Sequence, residues 1–182
     1  VDMRITVFGG AKPKPGDSSY EEAYLLGHLL GKAGHTVLTG GYIGTMEAVS
    51  QGAAEAGSHV IGMTCAEIEA WRQVRCNPFV AEEIRYPTLR QRVFALIESS
   101  DAAMALPGGA GTLAEVSLMW NLLITGALSP RPLILIGSAW ADTFQCFFST
   151  LGEYVTEQDR IWLLFAPNVQ KSIELLHAYK EI

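Results

Sequence analysis

The chain has 182 residues, 49% of them apolar, and a formal net charge of −6. That is the size of a single domain, 1–182, able to build a core without disulfides, and the composition excludes general disorder. The acidic balance argues against nucleic acid as a partner and leaves a local anion site open.

Apolar runs such as Pro132–Ile136 are strand-sized, well short of the ~20 residues that span a bilayer, so no membrane partner is expected. Val1 to Arg4 lead into a strand-like run and not a signal-peptide core. Cys65, Cys76 and Cys146 stand at no metal spacing, and His28, His35, His59 and His177 are scattered. These features predict a reducing, cytoplasmic setting and neither metal nor cofactor.

Short β-rich runs alternate with helical patterns along the chain. Arg4–Phe8 is a predicted strand, followed by a helix over Ser18–Ala33 opened by a Ser-x-x-Glu capping pattern and closed by Gly34. A strand over Thr36–Thr39, a helix over Thr45–Ala56 and a strand over His59–Met63 come next. Cys65–Val80 has weak periodicity and reads as a loop or short helix near the site. Then follow strand Glu82–Tyr86, helix Leu89–Ser99, strand Ala102–Leu106, helix Thr112–Ile124, strand Leu133–Ile136 and helix Trp140–Leu151. Arg160–Phe165 and Asn168–Tyr179 close the chain as strand and helix. This rhythm predicts an α/β, Rossmann-like, doubly wound fold: a mainly parallel sheet of about seven strands with helices on both faces.

In such sheets ligands bind beyond the carboxyl ends of the strands. Three glycine-containing segments fall there: Gly9-Gly10, Gly40-Gly41-Tyr42-Ile43-Gly44-Thr45 and Pro107-Gly108-Gly109-Ala110-Gly111-Thr112. A strand, a glycine turn and a helix N-terminus together make a phosphate cradle of free N–H groups. Neither the P-loop nor the G-x-G-x-x-G dinucleotide pattern is present, so a mononucleotide or sugar phosphate fits better than ATP or NAD. Lys12 and Lys14 are in position to steer phosphate or simply to be solvated. Thr112-Leu113-Ala114-Glu115 also reads as a capping box. Arg90 and Arg92 flank the helical stripe Leu89, Val93, Leu96 and Ile97, as surface arginines or as a phosphate-directed fork.

The segment Pro107-Gly108-Gly109-Ala110-Gly111-Thr112-Leu113-Ala114-Glu115 resembles the PGGxGTxxE signature of the LONELY GUY (LOG) family, often labelled "lysine decarboxylase". The family's upstream arginine falls fifteen residues before the proline, here at Arg92. Departures are Val93 for a frequent lysine, Ala114 for a frequent glutamate, and Gly10-Ala11-Lys12 where Gly-Ser-Ser is usual. The resemblance implies a Rossmann-like dimer that hydrolyses the N-glycosidic bond of nucleoside 5'-monophosphates, of the AMP or cytokinin riboside type, without a metal. It implies Arg92 and Glu115 as catalytic, and a phosphate loop at Gly108, Gly109, Gly111 and Thr112. Gly10, Gly41, Gly44 and Thr45 complete the expected binding set. The apolar residues Leu118, Met119, Trp120, Leu122 and Leu123 fit a homodimer contact or higher assembly.

A binding module is the alternative, because molybdenum-cofactor carriers of similar fold bind a phosphorylated ligand without turning it over. Pyridoxal-dependent decarboxylation needs a Schiff-base lysine. None of Lys12, Lys14, Lys32, Lys171 and Lys180 lies beside the cradle in sequence.

Overall fold

The computed structural model describes residues 2–179, so Val1 and residues 180–182 of the expected domain, Lys180 among them, lie outside the described residues. Seven strands form one sheet: β1 (Arg4–Phe8), β2 (Thr36–Thr39), β3 (Val60–Cys65), β4 (Glu82–Tyr86), β5 (Ala102–Ala105), β6 (Leu133–Ile136) and β7 (Leu163–Ala166). All neighbours pair in parallel, in the order β4-β3-β2-β1-β5-β6-β7. Eight helices connect them: α1 (Ser18–Lys32), α2 (Thr45–Glu55), α3 (Ala66–Arg72), α4 (Leu89–Glu98), α5 (Ala110–Ile124), α6 (Ser138–Leu151), α7 (Glu157–Arg160) and α8 (Val169–Tyr179). The doubly wound fold expected from the sequence is the fold observed.

Strand alternation decides which core each side chain joins. Ile5, Val7, Val37, Met104 and Ile134 point to one face and pack against α1, α2 and α8. Phe8, Leu38, Ala103 and Leu135 point to the other and pack against α4, α5 and α6. Thr6 is fully buried on that second face, and its hydroxyl donates to the Leu96 carbonyl at 2.6 Å. A buried hydroxyl left unpaired there would be destabilising.

Element ends shift where local chemistry outweighs pattern. Helix α1 begins at Ser18 with Asp17 as its N-cap residue, and no side chain caps it, in place of the expected Ser-x-x-Glu box. The Asp17 carboxylate instead accepts from the Lys14 N–H at 2.8 Å. Strand β3 runs on to Cys65 because Thr64 and Cys65 still pair with Arg85 and Tyr86 of β4. The expected strand from Arg160 begins only at Leu163, because Thr156 and Asp159 form a reciprocal capping box that holds 157–160 helical. Among the described residues no helix is long and apolar enough to cross a membrane.

Helices α1 and α2 approach closely through glycine. A Cβ on Gly52 would fall 2.1 Å from the Tyr24 carbonyl oxygen, and one on Gly27 would fall 2.1 Å from that of Val49. Helix propensity alone favours Gly52→Ala by about 1 kcal/mol. Overpacking against backbone reverses that sign, and the variant is expected to lose about 1–3 kcal/mol with an unchanged m-value in urea. A stabilised variant would show that the helices separate freely.

Candidate active site

The chain leaves the centre of the sheet at β1, winds outward to β4, and returns to the centre at β5. The winding direction therefore switches between β1 and β5, and open parallel sheets bind ligands at the carboxyl edge of such a switch. The three glycine segments meet there. The Gly10 N–H donates to the Pro107 carbonyl at 3.3 Å. The Gly10 carbonyl accepts from both the N–H and the hydroxyl of Thr45, each at 2.9 Å. Gly44 holds φ +71°, and a Cβ there would fall 2.6 Å from the Ala11 backbone. Gly41, Gly44 and Thr45 are thus buried, and they tie loops together.

The Pro107–Gly111 turn is exposed. A Cβ on Gly109 or Gly111 would meet only open space, whereas one on Gly108 would fall 2.1 Å from the Thr112 hydroxyl. The N-cap of α5 is Gly109, two to three residues earlier than the sequence pattern suggested, and the Leu113 N–H closes the first turn onto the Gly109 carbonyl at 3.0 Å. This corrects the capping-box reading of Thr112 and Glu115. Both lie inside the helix, Thr112 at 4% exposure and Glu115 at 9%. What faces solvent is an open helix N-terminus with unblocked backbone, which favours an anion.

Arg92 is not a surface arginine. It is 4% exposed, while Arg90 beside it is exposed and Leu89 of the expected buried stripe is 43% exposed. Its Nε donates to the Met63 carbonyl at 2.6 Å and its Nη2 to the Gly40 carbonyl at 3.0 Å. The guanidinium lies over the Tyr42 ring, 5.5 Å from its centroid. Its Nη1 stands 4.0 Å from Glu115 Oε1. Burial pushes the Glu115 carboxyl from its ordinary value up to about 7, against the opposing pull of Arg92.

The sequence reading passed over Gly40, Tyr42 and Asn77 as site-building residues. A Cβ on Gly40 would fall 2.0 Å from Arg92 Nη2. Asn77 donates from its backbone N–H to the Gly41 carbonyl at 2.8 Å and from Nδ2 to the Tyr42 carbonyl at 3.0 Å. The irregular segment after β3 is thereby pinned to the site, as expected of it. Helix α3 occupies its first part.

The model of the SLOG cluster4 family matches residues 2–138. The chain belongs to that family. The match spans all three glycine segments together with Arg92 and Glu115, and the LOG resemblance read from the signature holds at family level. A cytokinin riboside 5'-monophosphate phosphoribohydrolase of Arabidopsis thaliana is 28% identical over 182 residues, covering 97% of this SLOG chain and 83% of that relative. A pyrimidine/purine nucleotide 5'-monophosphate nucleosidase of Escherichia coli is 32% identical over 172 residues, covering 87% of this chain but 37% of that longer relative. Among solved structures, the molybdenum cofactor binding protein of Rippkaea orientalis has TM-score 0.76 and 27% identity, with 98% of each chain covered.

The raised Glu115 carboxyl makes stability depend on pH. The folded state holds this proton more tightly than the unfolded chain, whose carboxyl titrates near 4.5. As pH rises past that value the unfolded state sheds its proton first, so wild-type stability falls until Glu115 itself ionises near 7. Glu115→Gln lacks this loss. Its stability relative to wild type is expected to improve by on the order of 3 kcal/mol between about pH 4 and pH 8, measured by urea titration at each pH. A flat difference would place the carboxyl in water.

Proposed function

We propose that this protein hydrolyses the N-glycosidic bond of a nucleoside 5'-monophosphate, of the AMP or cytokinin riboside type, to free base and ribose 5-phosphate. The observation that carries the reading is the buried Arg92–Glu115 pair, held 4.0 Å apart in the second core layer behind an open glycine cradle. The names of the Arabidopsis and Escherichia coli relatives support it.

The 5'-phosphate sits on the backbone N–H groups of Gly108, Gly109, Gly111 and Thr112, with Gly10 lining the facing loop, Gly44 and Thr45 holding that loop in place, and Gly41 tying the neighbouring turn to Asn77. Phosphate binding supplies remote binding energy that positions the sugar. Cleavage breaks the bond from C1' to the base nitrogen, and the bonding electron pair leaves with the base. Positive charge then builds on the ribose ring. The Glu115 carboxylate stabilises that charge and orients the incoming water, as paired carboxylates do in glycoside hydrolysis. Water bonds to C1' and gives up one proton, and the departing base takes up one. Arg92, a fixed cation, holds ribose hydroxyls or phosphate.

Incubation with a panel of nucleoside 5'-monophosphates, followed by chromatography, is expected to show free base and ribose 5-phosphate, with AMP-type purines foremost. Glu115→Gln keeps the shape and removes the charge. Its turnover is expected to fall at least roughly a hundredfold, with ribose 5-phosphate still bound because the cradle is backbone. In wild type, kcat/KM is expected to rise with pH through about 7, as Glu115 ionises in the free enzyme. Retained turnover in Glu115→Gln would remove Glu115 from the chemistry.

The likeness to the Rippkaea protein favours one second reading, a carrier of a phosphorylated ligand. Tight binding of the molybdenum cofactor, with no base released from any monophosphate, would establish it.

We also propose that the protein is a homodimer of the cytoplasm. Met119 and Leu123 of the expected contact are core residues at 0% and 2% exposure. The apolar surface that remains borders a groove of about 310 Å³ lined by Trp120, Ile124, Phe147 and Tyr154. Three free cysteines suit a reducing compartment. Light scattering at micromolar concentration is expected to give twice the chain mass, and a monomer mass would refute the dimer.

A further inference from the structure

Arg92 and Glu115 face each other in a nearly dry site, yet they do not close. An arginine and a carboxylate free to meet in such surroundings settle at about 2.7–2.9 Å, commonly through two parallel hydrogen bonds. Here the nearest approach is 4.0 Å. The guanidinium is engaged elsewhere. Nε is taken by the Met63 carbonyl in β3, Nη2 by the Gly40 carbonyl after β2, and one face by the Tyr42 ring.

Each of these contacts is itself fixed. The Tyr42 hydroxyl accepts from the Cys65 N–H at 2.7 Å and lies 3.0 Å from the Cys65 carbonyl and 3.4 Å from Glu69 Oε1, either of which can take its proton. Asn77 holds the Tyr42 carbonyl, and Tyr42 is 1% exposed. At position 40 only a glycine leaves room for Nη2.

We infer that Gly40, Met63 and Tyr42 form a clamp that holds the Arg92 guanidinium off Glu115, so that the pair does not close and both groups stay available to a ribose that enters beside them. Tyr42 is in this scheme a positioning residue, acting through Arg92. The inference rests on the reading of Glu115 as the ribose-facing carboxylate. With the pair parted by 4.0 Å, burial outweighs the pull of the neighbouring cation at Glu115. Among the described residues, the charged group facing Glu115 is Arg92 of α4. Arg92 is faced in turn by Glu115 of α5 and by Tyr42. Behind Tyr42 stands Glu69 of α3, paired with Arg85 of β4 at 2.7 Å.

The clamp can be opened from two sides. Gly40 does not hold a positive φ, so Gly40→Ala suits the backbone, and its methyl displaces Nη2 from the carbonyl. The Glu115 carboxylate is then the acceptor within reach. Tyr42→Leu removes the π face, whereas Tyr42→Phe keeps it. The test is a ¹³C titration of the Glu115 carboxyl in the uniformly labelled protein, its signal identified by its loss in Glu115→Gln. Wild type and Tyr42→Phe are expected to titrate near 7. Gly40→Ala and Tyr42→Leu are expected to titrate at least about one pH unit lower, because a closed ion pair favours the carboxylate.

Wild-type midpoints in both folded variants would overturn the clamp. Should neither variant fold, the wild-type Arg92 Nε–H decides alone. The clamp predicts a slowly exchanging proton on a guanidinium that does not rotate, and exchange as fast as at an exposed arginine would overturn it. The titration needs no substrate, so a protein that hydrolyses nothing still tests the clamp. Hydrolysis with unmoved midpoints would reject the clamp and keep the reaction.

Discussion

A guanidinium with almost no access to water sets the terms for the carboxyl edge of this protein. A buried cation without partners is strongly destabilising, and Arg92 finds its partners on three different segments. Strand β3 offers the Met63 carbonyl, the turn after β2 offers the Gly40 carbonyl and the Tyr42 ring, and α5 offers Glu115. Those segments must therefore arrive together. The missing side chain at Gly40, the pinned loop at Asn77 and the early start of α5 at Gly109 each serve that convergence. Buried ion pairs contribute little net stability compared with apolar packing. A parted pair with a carboxyl raised toward neutrality is the pattern that functional sites commonly show, and the proposed reaction makes use of it.

Topology supplies the complementary half of the site. The reversal of winding between β1 and β5 sets the Gly9-Gly10 turn against the Pro107–Gly109 turn. Gly108 lets the Thr112 hydroxyl fold back against the turn, and α5 opens without a side-chain cap. One side of the site is thus an exposed glycine turn, and the other a buried charge pair. The two are linked by Thr45, which joins the Gly10 carbonyl to the α2 N-terminus.

Much of this was legible in the sequence, for identifiable reasons. The alternation of Ile5 and Val7 against Thr6 and Phe8, repeated along the chain, forces a two-faced sheet. The glycine clusters mark sharp turns because few other residues fit them. Arg92 and Glu115 were reached through spacing within a signature. What stayed hidden depended on contacts between distant segments. Helical periodicity placed Arg92 at the margin of an apolar stripe and carried no sign that two carbonyls from β3 and the β2 turn would receive it. The Thr112–Glu115 pattern fits a capping box as well as it fits a helix interior, and the backbone at Gly109 decides between them. Tyr42 looks like an ordinary loop aromatic until the Cys65 backbone and Asn77 close around it. The strand expected from Arg160 failed because a capping box at Thr156 and Asp159 stabilised a helical turn first.

The most direct measurement of the central claim is a crystal structure with ribose 5-phosphate bound. The account predicts the phosphate on the backbone of Gly108, Gly109, Gly111 and Thr112. It predicts C1 turned inward, with the Glu115 carboxyl at near-attack distance of about 3–3.5 Å from the reacting centre or its water, and Arg92 still on the Met63 and Gly40 carbonyls. A phosphate seated elsewhere, or a sugar whose C1 faces solvent with Glu115 closed onto Arg92, would contradict it.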